Sequence, residues 1–288
     1  MLPAMAAKPQ IAIVGPGRLG WALSIELRRA GYRVREIVAR SSPGSQRRAR
    51  ALARLTRGCR VSSMSTHLEA DLVWFCVPDR EIARAAGQMA MHGDWKGKVA
   101  LHSSGALSSE ELRVLRRRGA AVASVHPLMT FVRGAVPSLG GVPFGAEGDP
   151  AAVRVARSIV RTLGGYLFTI PRNRKAAYHA WGAFLSPLLV SLLVTGEEVA
   201  GAAGFSKSEA RRAMGPIVGQ TIANYAKLGP SQSFSGPIVR GDVETIGKHL
   251  RILQKLPGAR EVYVALARAA LRHLPAGNRK ALSKQLKP

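Results

Sequence analysis

The sequence predicts an α/β protein in which a doubly wound parallel sheet is followed by an all-α domain. Three observations lead there. Short apolar runs alternate with amphipathic segments through the first 170 residues. The runs are continuous rather than alternating in polarity, the mark of strands covered on both faces in a parallel sheet. After Pro171 strand-like runs stop and helical patterns take over. A boundary is therefore expected near residue 172, giving domains 9–171 and 172–288.

The expected strands are "IAIVG" (11–15), "VREIVA" (34–39), "DLVWFCV" (71–77), "KVALHS" (98–103), "AAVASVH" (120–126) and "YLFTI" (166–170). Helices are expected over 18–30, 43–56, 79–91, 108–118 and 149–163, with Pro43, Asp79, Ser108 and Asp149 near their starts. Strand and helix in strict alternation give a doubly wound sheet. The second half reads as helices 173–203, 206–228, 242–256 and 259–273 with a basic tail. Ser206 and Glu209 have capping-box spacing, and "LGP" at 228–230 ends the second of these helices.

Composition narrows the class. A chain of 288 residues that is 47% hydrophobic can bury a sizeable core. Its formal net charge of +26 draws polyanions. The basic residues are scattered singly, however, and "RRAR" at 47–50 and Arg116–Arg118 do not interleave with aromatics, which argues against a nucleic-acid role. Two cysteines, Cys59 and Cys76, make no disulfide framework, and Cys76 reads as a buried thiol. The opening "MLPAMAAKPQ" lacks a basic flank and a continuous apolar core, so no signal peptide is expected, and the cytoplasm is the expected location. From Ala176 to Gly196 there is no charged side chain, but Tyr178, His179, Gly182, Ser186 and Pro187 suit a membrane span poorly. That segment is expected to be buried in the core or in a subunit interface, with a homodimer through the helical domain.

The chemistry starts at "GPGRLG". Gly15, Gly17 and Gly20 follow a strand and open a helix in the spacing G-x-G-x-x-G. The first glycine permits a tight turn and the second lets the backbone approach a pyrophosphate. The third lets helix and strand pack closely, while Arg18 and Leu19 lead into the helix whose N-terminus faces the phosphates. The next expected strand ends in Arg40, Ser41 and Ser42 where an NAD-binding turn has an acid. A guanidinium and two hydroxyls suit the 2′-phosphate of NADP, and Arg47 and Arg48 stand close by. Further strand ends bring Val77, Pro78 and Asp79 ("CVPD"), then His102, Ser103, Ser104 and Gly105 ("LHSSGAL"), then His126 ("SVHPLMTF") to the same edge. Lys175 and His179 stand four apart on one helical face, and Arg240 sits in the glycine-flanked "SGPIVRGD", where Asp242 reads as a helix cap. No Cys/His spacing or carboxylate cluster suits a metal.

These motifs in this order resemble a bacterial two-domain family that joins a Rossmann-like NADP-binding domain to a helical domain of unknown function, number 2520. The resemblance covers nearly the whole chain and is carried by "GPGRLG", "ARSS", "CVPD", "LHSSGAL", "HPLMTF", "KAAYHA" and "SGPIVRGD". The family is similar to deazaflavin-dependent NADP reductases and, more remotely, to 3-hydroxyacid dehydrogenases and pyrroline-5-carboxylate reductases. In the hydroxyacid dehydrogenases a Lys, and an Asn four residues later, hold the substrate. Lys175 matches that Lys, whereas His179 stands where the Asn would be. Family members often have an Asn on the next helical stretch, where this chain has Ser186 and Pro187. The resemblance implies an NADP-dependent oxidoreductase acting on a small carbonyl, imine or hydroxyacid-like compound. Lys175 and His179 are then the expected proton relay, with Ser103, His126 and Arg240 positioning the substrate. A non-catalytic NADP-binding or regulatory protein is the alternative.

Overall fold

The computed structural model describes residues 8–287; residues 1–7, the start of the segment read as lacking a signal peptide, lie outside the described residues. An eight-stranded sheet in the order β3-β2-β1-β4-β5-β6-β7-β8 forms its frame. The strands are β1 (Ile11–Val14), β2 (Val34–Val38), β3 (Arg60–Ser62), β4 (Leu72–Phe75), β5 (Val99–His102), β6 (Ala121–Pro127), β7 (Pro143–Gly148) and β8 (Tyr166–Thr169). All neighbours run parallel except β6 and β7, which pair antiparallel with His126 opposite Gly145. Each expected strand is present, and the sheet gains β3 and β7. Both additions escape the apolar-run criterion: β3 is "RVS", and β7 is the glycine-rich "PFGAEG".

The helices α1 (Arg18–Arg29), α2 (Pro43–Leu55), α3 (Asp79–Ala90), α4 (Arg113–Arg116) and α5 (Pro150–Thr162) complete the crossovers. One apolar layer joins residues such as Leu23, Leu27, Leu52, Trp74, Phe144 and Ile159 on one face of the sheet. A second joins Val14, Phe75, Ile82, Met89 and Leu115 on the other. The central strands β1 and β4 are buried along their whole length, which is why their sequences carry no polar alternation. The segment expected as one helix over 108–118 is instead a 3-10 turn, Ser109–Leu112, leading into α4. Glu147 on β7 explains the tightened turn, because its carboxylate accepts from the Ser109 amide (2.5 Å) and hydroxyl (3.0 Å).

After β8 come a 3-10 turn (Arg172–Arg174), α6 (Lys175–Leu185), α7 (Pro187–Ala202), α8 (Lys207–Ser233), α9 (Pro237–Arg240), α10 (Val243–Leu253), α11 (Pro257–His273) and α12 (Arg279–Gln285). The single helix expected over 173–203 divides at Ser186 (φ −130°, ψ −84°), because Pro187 lacks the amide that would continue the ladder. Ser206 and Glu209 form the expected capping box, and α8 leaves helical geometry at Gly229, within "LGP". The basic tail carries α12, whose Leu282, with Leu286 just after it, lies in a small core with Ile246 and Val264.

The chain divides into two compact units, Met1–Ala183 and Phe184–Pro288. Most of α6, including Lys175 and His179, thus belongs to the unit that contains the sheet, twelve residues beyond the boundary expected from sequence texture.

At the Rossmann turn the packing is tightest. Gly15 has φ +100°, and a Cβ there would lie 2.8 Å from the Cys76 carbonyl oxygen; a Cβ on Gly20 would lie 2.1 Å from the Gly15 carbonyl oxygen. Neither neighbour is a flexible side-chain end, so the backbone must give way. Gly20→Ala is expected to lower stability by about 1–3 kcal/mol, read as a shift of the denaturation midpoint. An unchanged midpoint would refute this account of why α1 lies so close to β1.

Candidate functional site

The parallel strands β1, β2, β4 and β5 present their carboxyl ends at one edge, and the loops after them build the site. The turn after β1 carries Gly15 and Gly17. A Cβ on Gly17 would meet nothing nearer than the Cys76 carbonyl oxygen at 3.8 Å, so the turn is open towards a cleft. That cleft, about 170 Å³, is walled by Gly15, Gly17, Arg40, Arg48, Val77 and Pro78, together with Glu81, Arg84 and Gln88 of α3. A wider depression of about 880 Å³ shares Arg40, Arg84, Met64 and Gln88 and adds Ser41, Ser42 and Ser63. Arg18 is exposed at the first position of α1, while Leu19 packs on the core.

These residues fit a phosphorylated dinucleotide. An open glycine turn at a helix N-terminus suits the pyrophosphate, and three guanidiniums and two serines suit a further phosphate. Of the two arginines following Arg40, the structure turns Arg48 into the cleft and Arg47 away, onto the outer face of α2. An acid does reach this region, from α3 rather than from β2. Glu81 accepts from Arg84 Nε at 3.0 Å, and the guanidiniums of Arg84, Arg40 and Arg80 hold its carboxyl below the usual range. Val77 and Pro78 line the cleft as expected, whereas Asp79 accepts from the Ser104 hydroxyl (2.8 Å) and makes no cap bond to α3.

The loop after β5 is fixed from several directions. His102 is fully buried: its Nδ1 accepts from the Ser104 amide (3.1 Å), and its Nε2 lies 2.9 Å from the Ser108 carbonyl oxygen. A carbonyl only accepts, so Nε2 carries the hydrogen and the ring is neutral; burial pulls its pKa down to about 4. His102 is a structural clasp. The Ser103 hydroxyl accepts from the Trp74 indole (2.8 Å), which occupies it below the loop. Ser104 accepts from the amides of Ala106 (3.2 Å) and Leu107 (2.8 Å).

Lys175, at the start of α6, is 1% exposed. Its ammonium donates to the Ser104 carbonyl oxygen (2.9 Å) and to the Ser124 hydroxyl of β6 (2.5 Å), and Ser124 donates to the same carbonyl (3.0 Å). Burial lowers its pKa from 10.5 to about 8, against the attraction of Glu147 and Asp79. Three and four residues on, Tyr178 and His179 meet His126. Tyr178 Oη lies 2.9 Å from His126 Nδ1 and donates towards the His126 carbonyl at 3.3 Å. The rings of His126 and His179 stand edge to face at 6.1 Å. Between them lies Gly105, where a Cβ would be 2.6 Å from His179 Cδ2 and 3.0 Å from His126 Nε2. Burial first, and then the nearby Lys175 ammonium, pull the His126 pKa down to about 4, so it is neutral at pH 7. The structure therefore brings together Lys175, His179 and His126 of the expected set. Arg240 belongs to the second unit, exposed at the end of α9, where Asp242 caps α10 by accepting from the Thr245 amide (2.9 Å). Among the described residues there is no cluster of metal-ligating side chains.

Residues 4–127 match the family described as a Rossmann-like domain, and residues 142–270 match the domain of unknown function DUF2520. The chain thus carries both domains, in the order that the motif resemblance implies. No curated protein matches the sequence. Among solved structures, a candidate NADP oxidoreductase from Bacteroides fragilis superposes with a TM-score of 0.74 at 20% identity, over 91% of this chain and 97% of that one. A Thermotoga maritima protein gives 0.70 at 25% identity, over 96% and 100%. A reductive aminase from Aspergillus terreus, solved with NADPH and ethyl-5-oxohexanoate, gives 0.58 at 14% identity, over 97% and 100%. The low identities make the first and third of these likenesses of fold.

Sequence reading missed Arg84, Glu81 and Gln88, which α3 turns towards the cleft, and Ser124 and Tyr178, which touch Lys175 and His126. The spacing of Tyr178 from Lys175 was a usable signal, since residues three apart share a helical face.

Lys175 gives the site a pH signature. Between pH 8 and 10.5 the unfolded chain keeps this proton and the folded chain releases it, so stability rises with pH through that window and is flat below it. Relative to Lys175→Met, the native protein should gain roughly 3 kcal/mol from pH 8 to 10.5. Denaturant titrations at several pH values check this, and a constant difference across the window would show that the amine is not buried.

Proposed function

We propose that the chain is an NADP-dependent oxidoreductase acting on a small carbonyl, imine or hydroxyacid-like substrate. The observation that carries the proposal is the continuity of the Gly15–Gly17 turn with a cleft walled by Arg40, Arg48 and Arg84. The NADPH complex of the structurally similar reductive aminase supports it. Gly15, Gly17 and the N-terminus of α1 hold the pyrophosphate. Arg40, Ser41 and Ser42 hold the 2′-phosphate, with Arg48 and Arg84 adding charge. Bound there, the nicotinamide supplies hydride chemistry. Pro78 and the loop 103–107 lie beyond the phosphate cleft along the same sheet edge.

Within the expected relay the roles divide by access. Lys175 is enclosed and its hydrogens point at Ser104 and Ser124, so it acts as a positioning residue that holds the loop. His126 and His179 flank Gly105 and meet the substrate. Ser103 supports the loop through Trp74, and Arg240 is the anion-binding candidate of the second unit.

Arg40→Ala is expected to weaken NADPH about ten- to a hundredfold, the value of one charge-assisted pair, and to leave NADH nearly unchanged. Fluorescence titration of both cofactors checks this. Equal affinities of the native protein for NADPH and NADH would overturn the assignment.

The same family reading includes a homodimer through the helical domain. Along α6 and α7, Phe184 (71%), Val190 (58%) and Val194 (55%) are exposed in the single chain. The stretch Arg172–Ala202 is long and apolar enough to cross a bilayer by length and composition alone. The break at Ser186–Pro187 interrupts that stretch, and a twofold partner would cover its apolar face. Light scattering on the full chain should give twice 30.7 kDa; a mass that stays at the monomer value across a wide concentration range would exclude the dimer.

A further inference from the structure

Tyr178 is a buried polar group beside His126 that the proposed function has not used. Its ring is wedged against β7 at Gly145, where a Cβ would stand 2.8 Å from Cζ and 2.9 Å from Oη. Phe168 packs edge to face on it at 5.9 Å, and Trp181 at 6.2 Å. The phenol is thus held with little freedom, and burial pushes its pKa up to about 12, so it keeps its hydrogen at any physiological pH.

That single hydrogen has two acceptors within reach. Oη lies 3.3 Å from the His126 carbonyl oxygen and 2.9 Å from His126 Nδ1. The carbonyl can only accept. The arrangement that satisfies both contacts has the phenol donating to the carbonyl and Nδ1–H donating to the phenol oxygen. An imidazole whose Nδ1 carries the hydrogen has a lone pair at Nε2. No described residue hydrogen-bonds Nε2, yet it is absent from the fully buried unpartnered atoms and so keeps contact with solvent. It points into the space at Gly105 that the lack of a Cβ leaves open, with His179 on the far side.

We propose that Tyr178 is a positioning residue that locks His126 in the Nδ1–H tautomer and so presents Nε2 to the substrate as an open hydrogen-bond acceptor. The inference rests on the oxidoreductase reading for its use, though not for its test. An acceptor at this point matches a reacting group that brings its own polar hydrogen, such as a protonated imine or a hydroxyl. It does not match a carbonyl oxygen, which needs a donor.

The test is side-chain nitrogen NMR of the full chain with 15N-labelled histidine, His126 being assigned by loss of its signals in His126→Gln. The native protein should show one tautomer at His126, with hydrogen on Nδ1 and a lone pair on Nε2. Tyr178→Phe keeps the ring and removes the oxygen, so the single-tautomer pattern should be lost as Nε2–H becomes populated, with little change in melting temperature. A native His126 carrying its hydrogen on Nε2 overturns the proposal without any variant, and so does an unchanged tautomer in Tyr178→Phe. Absence of NADPH oxidation with every carbonyl and imine tried would count against the oxidoreductase reading and leave the tautomer result standing.

Discussion

A buried ammonium group holds the site together. Lys175 reaches from the first turn of α6 to the loop after β5 and to the middle of β6, and its two hydrogen bonds join three elements far apart in sequence. Enclosing a charge is costly unless it is paired and fully hydrogen-bonded. Here Glu147 and Asp79 lend attraction, and Ser104 and Ser124 supply the acceptors. The groups around Gly105 are arranged about that tie. It sets the height of Gly105, and Gly105 sets the separation of His126 and His179.

The second constraint is close backbone approach. Gly15 and Gly20 bring α1 onto β1, Gly145 admits the Tyr178 ring, and Gly105 admits two imidazoles. At each position a single methyl group collides with backbone or with a ring held by other contacts. The phosphate end of the edge is organised differently, by charge. Arg40, Arg48 and Arg84 arrive from three elements; Arg40 stands where a dinucleotide turn ordinarily carries an acid, and the acid that lines the cleft, Glu81 of α3, pairs with Arg84. A neutral, half-buried His126 at one end and exposed guanidiniums at the other give the strand ends two chemical characters.

Much of this was legible in the sequence. Continuous apolar runs marked six strands because burial on both faces removes polar alternation, and the glycine turn and Arg40, singled out from local chemistry, line one cleft. What escaped depended on partners distant in the chain. β7 was invisible because its glycines serve packing rather than burial, with Gly148 at φ +136° against Val122 and Gly145 against Tyr178. Arg84 reads as one more surface arginine until the fold sets it in one cleft with Arg40. Lys175 was recognised, but its likeness to a substrate-binding lysine suggested access to substrate. Only the placement of Ser124 beside it shows an enclosed tie. Spacing placed Lys175 and His179 on one face and could not reveal that Tyr178, on that same face, occupies His126.

The central claim is that one edge of the sheet forms a single site, with the Arg40 cleft for the phosphates and the His126–Gly105–His179 group for the reacting end. Histidine NMR of the full chain during titration with two ligands tests it most directly. NADPH should bind and shift the signals of His126 and His179, whereas adenosine 2′,5′-bisphosphate, which spans only the phosphate end, should bind in an Arg40-dependent manner and leave both unmoved. Saturation with NADPH that leaves both histidines unshifted, or equal shifts from the two ligands, would contradict the account.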